Sequence, residues 1–428
     1  MFMGKGNLFM FKHRLNNGAT VVGEYMPGFR SVSMGVWINA GSVYERENES
    51  GAAHFIEHML FKGTSNRSAS RIAEEMDAVG GNLNAFTGKE CTCFYGRVLD
   101  RDVSTLSEIL ADLICCASLD PEDIEREKGV VLEEISMTED TPEDLVTETA
   151  TSLFYESDPL EKPILGTADS VKAFTREDLR RYMERLYRPE NTVISVAGNF
   201  DEEKLLFELE KSFVSEGGGE SAQTLFGVHK NGARLKLIPK DIEQVHICMC
   251  LPGFKKDTRE SYAQLIFSNA FGGSMSSRLF QKIREEKGLA YSVYAYPTVY
   301  PNSGYVTLYA GTGAENASTV CAMMLDELRK VGQEGLSEGE IKRAKDQLVS
   351  GYLMAQESTS ARSSSIGRAE LLRGRHLTES EVIERINSVS SEDIRKILET
   401  VTDTSEISAS AVGRVSGCER TMNDLILG

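Results

Sequence analysis

Two histidines and a glutamate stand within five residues of one another in the run His54-Phe55-Ile56-Glu57-His58. On a helix, positions four apart lie one above the other, so both imidazoles can reach a single cation about 2.0–2.1 Å away. Glu57 projects from nearly the same face, where a carboxylate beside a metal-bound water can take its proton during attack on a peptide carbonyl. The flanking residues predict a helix: residues 48–51 offer an N-cap, with Ser50 the best candidate, and Ala52, Ala53, Phe55, Ile56, Met59, Leu60 and Phe61 are apolar. Such a helix should be buried, and three ionisable groups buried together require partners. The competing reading is coincidence, but the chain has only six histidines, and two of them fall here.

Catalytic zinc takes three protein ligands and keeps one position for water. The third ligand is expected in residues 120–135, a segment that opens like a helix, with Asp120 as N-cap and Pro121 in its first turn. Its five glutamates would be merely solvated on most surface helices. Their spacing separates them. Glu127 and Glu134 are seven apart and share a face, whereas Glu133 is rotated by about 100° from Glu134. With that face toward the metal, Glu134 ligates, Glu127 supports a histidine from behind, and Glu133 points elsewhere.

These residues resemble the pitrilysin and insulinase family of zinc peptidases, the inverzincins, and in length the bacterial relatives of mitochondrial processing peptidase. That family has H-x-x-E-H followed about 75 residues later by an E-x6-E pair, matched by Glu127 and Glu134. Its N-A-[FYS]-[TS] strand is matched within residues 82–87, and its arginine and tyrosine seven apart are matched by Arg284 and Tyr291. The resemblance implies one Zn2+ per chain on His54, His58 and Glu134, with Glu57 and Glu127 completing the catalytic apparatus. It implies that Asn84, Ala85 and Phe86 bind a substrate backbone by strand addition, and that Arg284 and Tyr291 hold the substrate carbonyl or its oxyanion. Without the family, Arg284 reads as a helix-surface arginine, Tyr291 as a core tyrosine and residues 84–86 as ordinary strand. The expected activity is endopeptidase cleavage of extended peptides by water attack. A homodimer is expected, with a heterodimer with a related chain as the alternative. The contrasting function is a non-catalytic assembly or peptide-binding subunit, which the intact motif weighs against.

Internal repetition supplies a separate line of argument. Asn17-Gly18-Ala19 returns as Asn231-Gly232-Ala233, His58-Met59-Leu60-Phe61 parallels Ser277-Arg278-Leu279-Phe280, and Ile124-x-Arg126-x-Lys128 parallels Ile341-x-Arg343-x-Lys345, at offsets of 214, 219 and 217 residues. Such order indicates two copies of one domain. A glycine-rich, polar linker at residues 215–227 divides a zinc-binding catalytic domain, 1–214, from a homologous domain without metal, 228–428. At these offsets Gly273, Ser276 and Ser277 replace the motif residues, and Ala344 and Gly351 replace Glu127 and Glu134, so the second copy lacks ligands. Strand patterns at 32–38 and 305–309 and helical patterns at 103–115 and 317–330 predict an α+β fold. Each half should be a mostly antiparallel sheet covered by helices on one face.

A chain of 428 residues, 41% of them hydrophobic, can bury more than one core. Its net charge of −18 argues against nucleic acid or an anionic membrane as partner, and no apolar run reaches the length of a membrane span. Residues 1–12 read as a first strand lacking the order of a signal peptide, which makes the expected location cytoplasmic. The eight cysteines include no C-x-x-C pair and fall largely in strand-like segments, so reduced core thiols are expected. The run Phe271-Gly272-Gly273-Ser274 is not a phosphate loop, since no Lys-Ser/Thr follows it.

Overall fold

The computed structural model describes residues 10–214, 226–229 and 231–428. Residues 1–9 of the expected first strand and 215–225 of the expected linker lie outside them. In chain order the first half carries β1 (Met10–Arg14), β2 (Thr20–Tyr25), β3 (Ser31–Ile38), α1 (Ala52–Leu60), α2 (Ala69–Ala78), β4 (Asn82–Thr87), β5 (Thr92–Leu99), α3 (Val103–Cys115), α4 (Pro121–Asp140) and α5 (Pro142–Phe154). It ends with α6 (Ala168–Ala173), α7 (Arg176–Leu186), β6 (Thr192–Gly198) and α8 (Glu202–Ser212). The second half carries β7 (Arg234–Pro239), β8 (Gln244–Pro252), α9 (Arg259–Gly272), a π-helical segment at Phe280–Glu285, β9 (Ala290–Val299) and β10 (Gly304–Gly313). Helices α10 (Ala317–Glu334), α11 (Glu338–Ala355), α12 (Thr359–Arg373), α13 (Glu379–Ser388) and α14 (Ser391–Val401), strand β11 (Ser408–Gly413) and α15 (Glu419–Ile426) follow.

Apart from β1, which has no counterpart in the second sheet, the two sheets share one topology. The first runs β1-β2-β6-β3-β5-β4 and the second β7-β11-β8-β10-β9. Among the described residues, the one parallel pair in each is the early strand against the late one, β2 with β6 and β7 with β11. The α+β class and the duplicated, mostly antiparallel architecture are therefore as expected. Element order corrects one offset, because α9 occupies the place of α1 between its strands and the π-helical segment occupies that of α2. Ser277 accordingly lies outside the counterpart of the motif helix. That counterpart, α9, contains neither histidine nor cysteine.

Alternation along the strands gives each sheet two buried faces, one more than expected. In β3, Val32, Met34, Val36 and Ile38 join the main core of the first sheet, with Phe55, Ile56, Met59 and Leu60 of α1. The other face presents Ser33, Gly35 and Trp37, and it receives α12 through Ser33–Thr359 and Ser33–Ser360 hydroxyl pairs at 3.0 Å. Trp37 Nε1 donates to Ser195 Oγ at 2.9 Å, and Ser195 pairs in turn with Ser363. In the second sheet the corresponding face bears Cys248 and Cys250 on β8, and α5 packs on β8, β11 and β7. All eight cysteines are free thiols.

The division at 1–214 and 228–428 does not coincide with the compact units. Unit one comprises Met1–Ile135, Lys162–Thr224 and Leu353–Leu377, and unit two comprises Ser136–Glu161, Leu225–Tyr352 and Thr378–Gly428. Each half thus lends one helix to the other unit, α5 to the second and α12 to the first. Small polar residues on a sheet face permit this close seating, but nothing in a helix's own periodicity says which sheet it will cover. No helix of the described residues is long and apolar enough to cross a membrane.

Gly367 of α12 lies directly over Trp37, where an added Cβ would stand 2.2 Å from Trp37 Nε1 and 2.7 Å from Ser195 Oγ. Gly367→Val is expected to lift α12 and destabilise the first unit by about 1–3 kcal/mol. Trp37 is the sole tryptophan, so a red-shifted emission maximum and a lowered urea midpoint report the change directly. An unaltered spectrum and midpoint would show that α12 is seated by other contacts.

Candidate metal centre

Helix α1 is held by its apolar side: Phe55, Ile56, Met59 and Leu60 are fully buried. Each such side chain contributes roughly 1.5–3 kcal/mol, enough to fix the opposite side in place. The expected Ser50 N-cap is corrected. Gly51 is the N-cap, with φ +88° and no side chain to offer, and a Cβ there would meet Leu165 O at 2.6 Å. The buried Glu45 carboxylate fills the role instead, accepting from Gly51 N at 3.0 Å and Ala53 N at 2.9 Å. Burial pushes Glu45 up to about 8, against the pull of the two backbone N–H groups.

The three expected ligands come together. The His54 and His58 rings stand 4.5 Å apart, and Nε2 of each lies 3.5 Å from Glu134 Oε2. One donor atom from each of the three lies within 4.8 Å of the others, and no other group of three or more such side chains does so among the described residues. Donors about 2.0–2.1 Å from a tetrahedral ion are spaced about 3.3–3.4 Å from each other, so the two 3.5 Å separations fit zinc. Helix α4 supplies Glu134 as the seven-residue spacing predicted: Asp120 caps its N-terminus through Glu122 N at 2.8 Å, and Glu133 is exposed on another face.

Glu127 is 3% exposed and bridges two partners. It accepts from His58 Nδ1 at 2.8 Å and pairs with Lys62 Nζ at 2.6 Å. The first bond places the proton on Nδ1 and turns the Nε2 lone pair toward Glu134. Lys62 was not singled out from the sequence, although it stands four residues after His58. His54 Nδ1, by contrast, is buried without a hydrogen-bond partner among the described residues.

Charge is distributed unevenly over these groups. Burial, and then the neighbouring His58, lowers His54 to about 4, so it stays neutral and able to ligate. Burial also opposes protonation of His58, but its bond to Glu127 and the carboxylates of Glu134, Glu127 and Glu57 outweigh burial and raise it. Glu127 is lowered, burial notwithstanding, by His58 and Lys62. Glu57 is raised by burial, which its hydrogen bond to Thr87 only partly offsets.

Asn84, Ala85 and Phe86 lie on β4, an edge strand of the first sheet among the described residues. They do not share a face. Ala85 packs toward the main core, whereas Phe86 is 41% exposed on the other side, edge-on to Trp37 at 5.7 Å. Asn84 Oδ1 accepts from Ala85 N at 2.8 Å. Thr87, at the end of the strand, donates to Glu57 Oε2 at 2.5 Å. In the second unit the Arg284 guanidinium lies between two rings, 4.7 Å from Phe280 and 4.8 Å from Tyr291, and Tyr291 is 75% exposed. The seven-residue spacing therefore makes a cation–π pair, not a core tyrosine.

Residues 20–168 match the family model described as insulinase, peptidase family M16, and residues 173–348 match that of the peptidase M16 inactive domain. An uncharacterized zinc protease of Bacillus subtilis (strain 168), YmxG, is 39% identical over 385 residues, 90% of this chain and 93% of its own. The chain belongs to the insulinase family, peptidase family M16. A second relative, the uncharacterized zinc protease SCO5738 of Streptomyces coelicolor, is 37% identical over 394 residues, covering 90% of this chain and 86% of its own. The fold is shared with a protease from Helicobacter pylori, at a TM-score of 0.86 and 18% identity over 94% of this chain and 99% of that one. The inactive-domain match begins within the first half, at residue 173, and takes in α9, the counterpart helix that carries no imidazole.

Glu45 has a pH signature. Its folded value of about 8 lies above the ordinary 4.5, so the native state binds this proton more tightly than the unfolded chain. The contribution is complete below pH 4.5 and is lost as pH rises toward 8. Between these values Glu45→Gln, which does not titrate, should show a shallower fall of stability with pH, by up to about 1.4 kcal/mol per pH unit. Urea denaturation followed by Trp37 fluorescence measures both slopes, and equal slopes would refute the assignment.

Proposed function

We propose that this chain is a zinc-dependent endopeptidase acting on extended peptides or unfolded segments. The observation that carries this reading is the convergence of His54, His58 and Glu134 with Glu57 one residue away on the same helix. A Zn2+ ion held there would supply Lewis-acid polarisation of a carbonyl and lower the pKa of a bound water toward about 7. The chain's own groups do the rest. Glu57 Oε1 takes the proton of the attacking water, and Glu127 keeps the His58 tautomer correct for ligation. Lys62 balances the charge of Glu127, which would otherwise be buried beside only an imidazole.

Peptide would be held by main-chain pairing along the free edge of β4, which makes little demand on sequence. Arg284 and Tyr291 would donate to the substrate carbonyl as negative charge develops on it. Their pairing in the structure supports the role by holding the guanidinium against the phenol ring. A homodimer acting in the cytoplasm completes the reading, and native mass measurement separates it from a heterodimer with a related chain.

Two variants test this. His58→Ala should reduce zinc from one ion per chain to well below that, read by elemental analysis after dialysis; equal stoichiometry in both proteins would refute the site. Glu57→Gln should keep its zinc and lose about 10²–10⁴-fold in kcat on a mixed peptide library. Undiminished cleavage by this variant would remove Glu57 from the mechanism, and a parent inactive on every peptide would favour a binding subunit.

A further inference from the structure

Glu57 ends in a carboxylate whose last torsion is broad, so burial alone leaves its two oxygens free to exchange positions. One contact prevents this. Thr87 Oγ1 lies 2.5 Å from Glu57 Oε2, and the direction of that hydrogen bond is fixed by its surroundings. An ionised carboxylate only accepts, so the hydrogen belongs to Thr87. Among the described residues the other hydroxyl within hydrogen-bonding reach of Thr87 is Thr92 Oγ1 at 3.4 Å, and Thr92 gives its own hydrogen to Ala40 O at 3.0 Å. Thr87 therefore has a single short acceptor, and hydrogen bonds to a charged oxygen are about twice as strong as neutral ones.

The anchor is rigid because it belongs to the sheet. Thr87 pairs in register with Thr92 of β5, which is fully buried, and β5 is paired in turn along its length with β3. The base sits on α1 and its tether on β4, two elements packed against each other. Oε1, the other oxygen of Glu57, makes no hydrogen bond with a described residue, so the contact occupies one oxygen and leaves the second for a proton.

We propose that Thr87 is the positioning residue of the base, pinning Glu57 Oε2 to the edge strand so that Oε1 alone faces the water. This rests on the endopeptidase reading and deepens it. The edge strand thereby has two tasks, since the residues before Thr87 would receive peptide while Thr87 itself aims the carboxylate.

The test compares Thr87→Val, which keeps the shape and removes the donor, with Thr87→Ser, which keeps the donor. Val should lower kcat by about 10–100-fold with KM within about twofold, since a misaimed base costs rate and not binding. Ser should restore kcat to within about threefold of the parent. Both should retain one zinc per chain and the parental melting temperature. A Val variant with parental kcat, equal impairment of Val and Ser, or a loss confined to KM or zinc content would overturn the proposal. Should Val not fold, Thr87→Ala against Ser carries the same comparison. A crystal structure of the donorless variant separates this proposal from the reading beneath it: were the parent inactive, a Glu57 carboxylate unmoved in that variant would still refute the tether, and a displaced one would uphold it.

Discussion

Placing three ionisable side chains on a helix that is otherwise buried is the constraint on which the rest of this structure depends. Helix α1 gives its apolar side wholly to the core, so His54, Glu57 and His58 are drawn into low dielectric with it and each requires an answer from another element. Strand β4 answers Glu57 with a hydroxyl, and α4 answers His58 with Glu127 and both imidazoles with Glu134. Even the helix's own N–H groups are met by a buried carboxylate, Glu45. The result is a site whose groups are oriented before any ligand arrives, at the cost of pKa values displaced in opposite directions over a few ångströms.

The sheets impose a second constraint. A strand buried on both faces needs cover on both, and each half supplies for its own sheet only the helices of the main core. The exchanged helices α5 and α12 complete the remaining faces, and the residues there are those that allow a backbone to come close: Gly35, Ser33 and Ser195 against Thr359, Ser363 and Gly367 in the first unit. A small additional core forms around Trp37, Cys93, Val193 and Ile366. Exchange of this kind follows naturally from duplication, because the two copies share the order of five strands and the same outer face to cover.

Much of the site was legible in the chain, because helical spacing converts sequence directly into shared faces. The four-residue step from His54 to His58, the seven-residue step from Glu127 to Glu134 and the rotation of Glu133 away from them all hold in the structure. The N-cap was misplaced by one residue, since a capping preference for Ser50 cannot register that Gly51 lies under the backbone of residues 165 and 166. Alternation along β4 is sufficient to show that Ala85 and Phe86 face opposite ways, so adjacency alone does not give them one role. Lys62 carried a legible signal, four residues past His58, whereas Glu45 carried none and Thr87 stood only as the last position of the strand motif, its link to Glu57 made only by folding.

By itself the sequence determined which histidines and glutamates share a helix face, the duplication and the α+β class, because each depends on local periodicity or on order along the chain. The tertiary structure alone decided which group caps the motif helix, which hydroxyl bonds Glu57 and which sheet each exchanged helix covers. Those are contacts between elements distant in sequence, selected by close packing and by the need to satisfy every buried polar group. No short-range pattern encodes them.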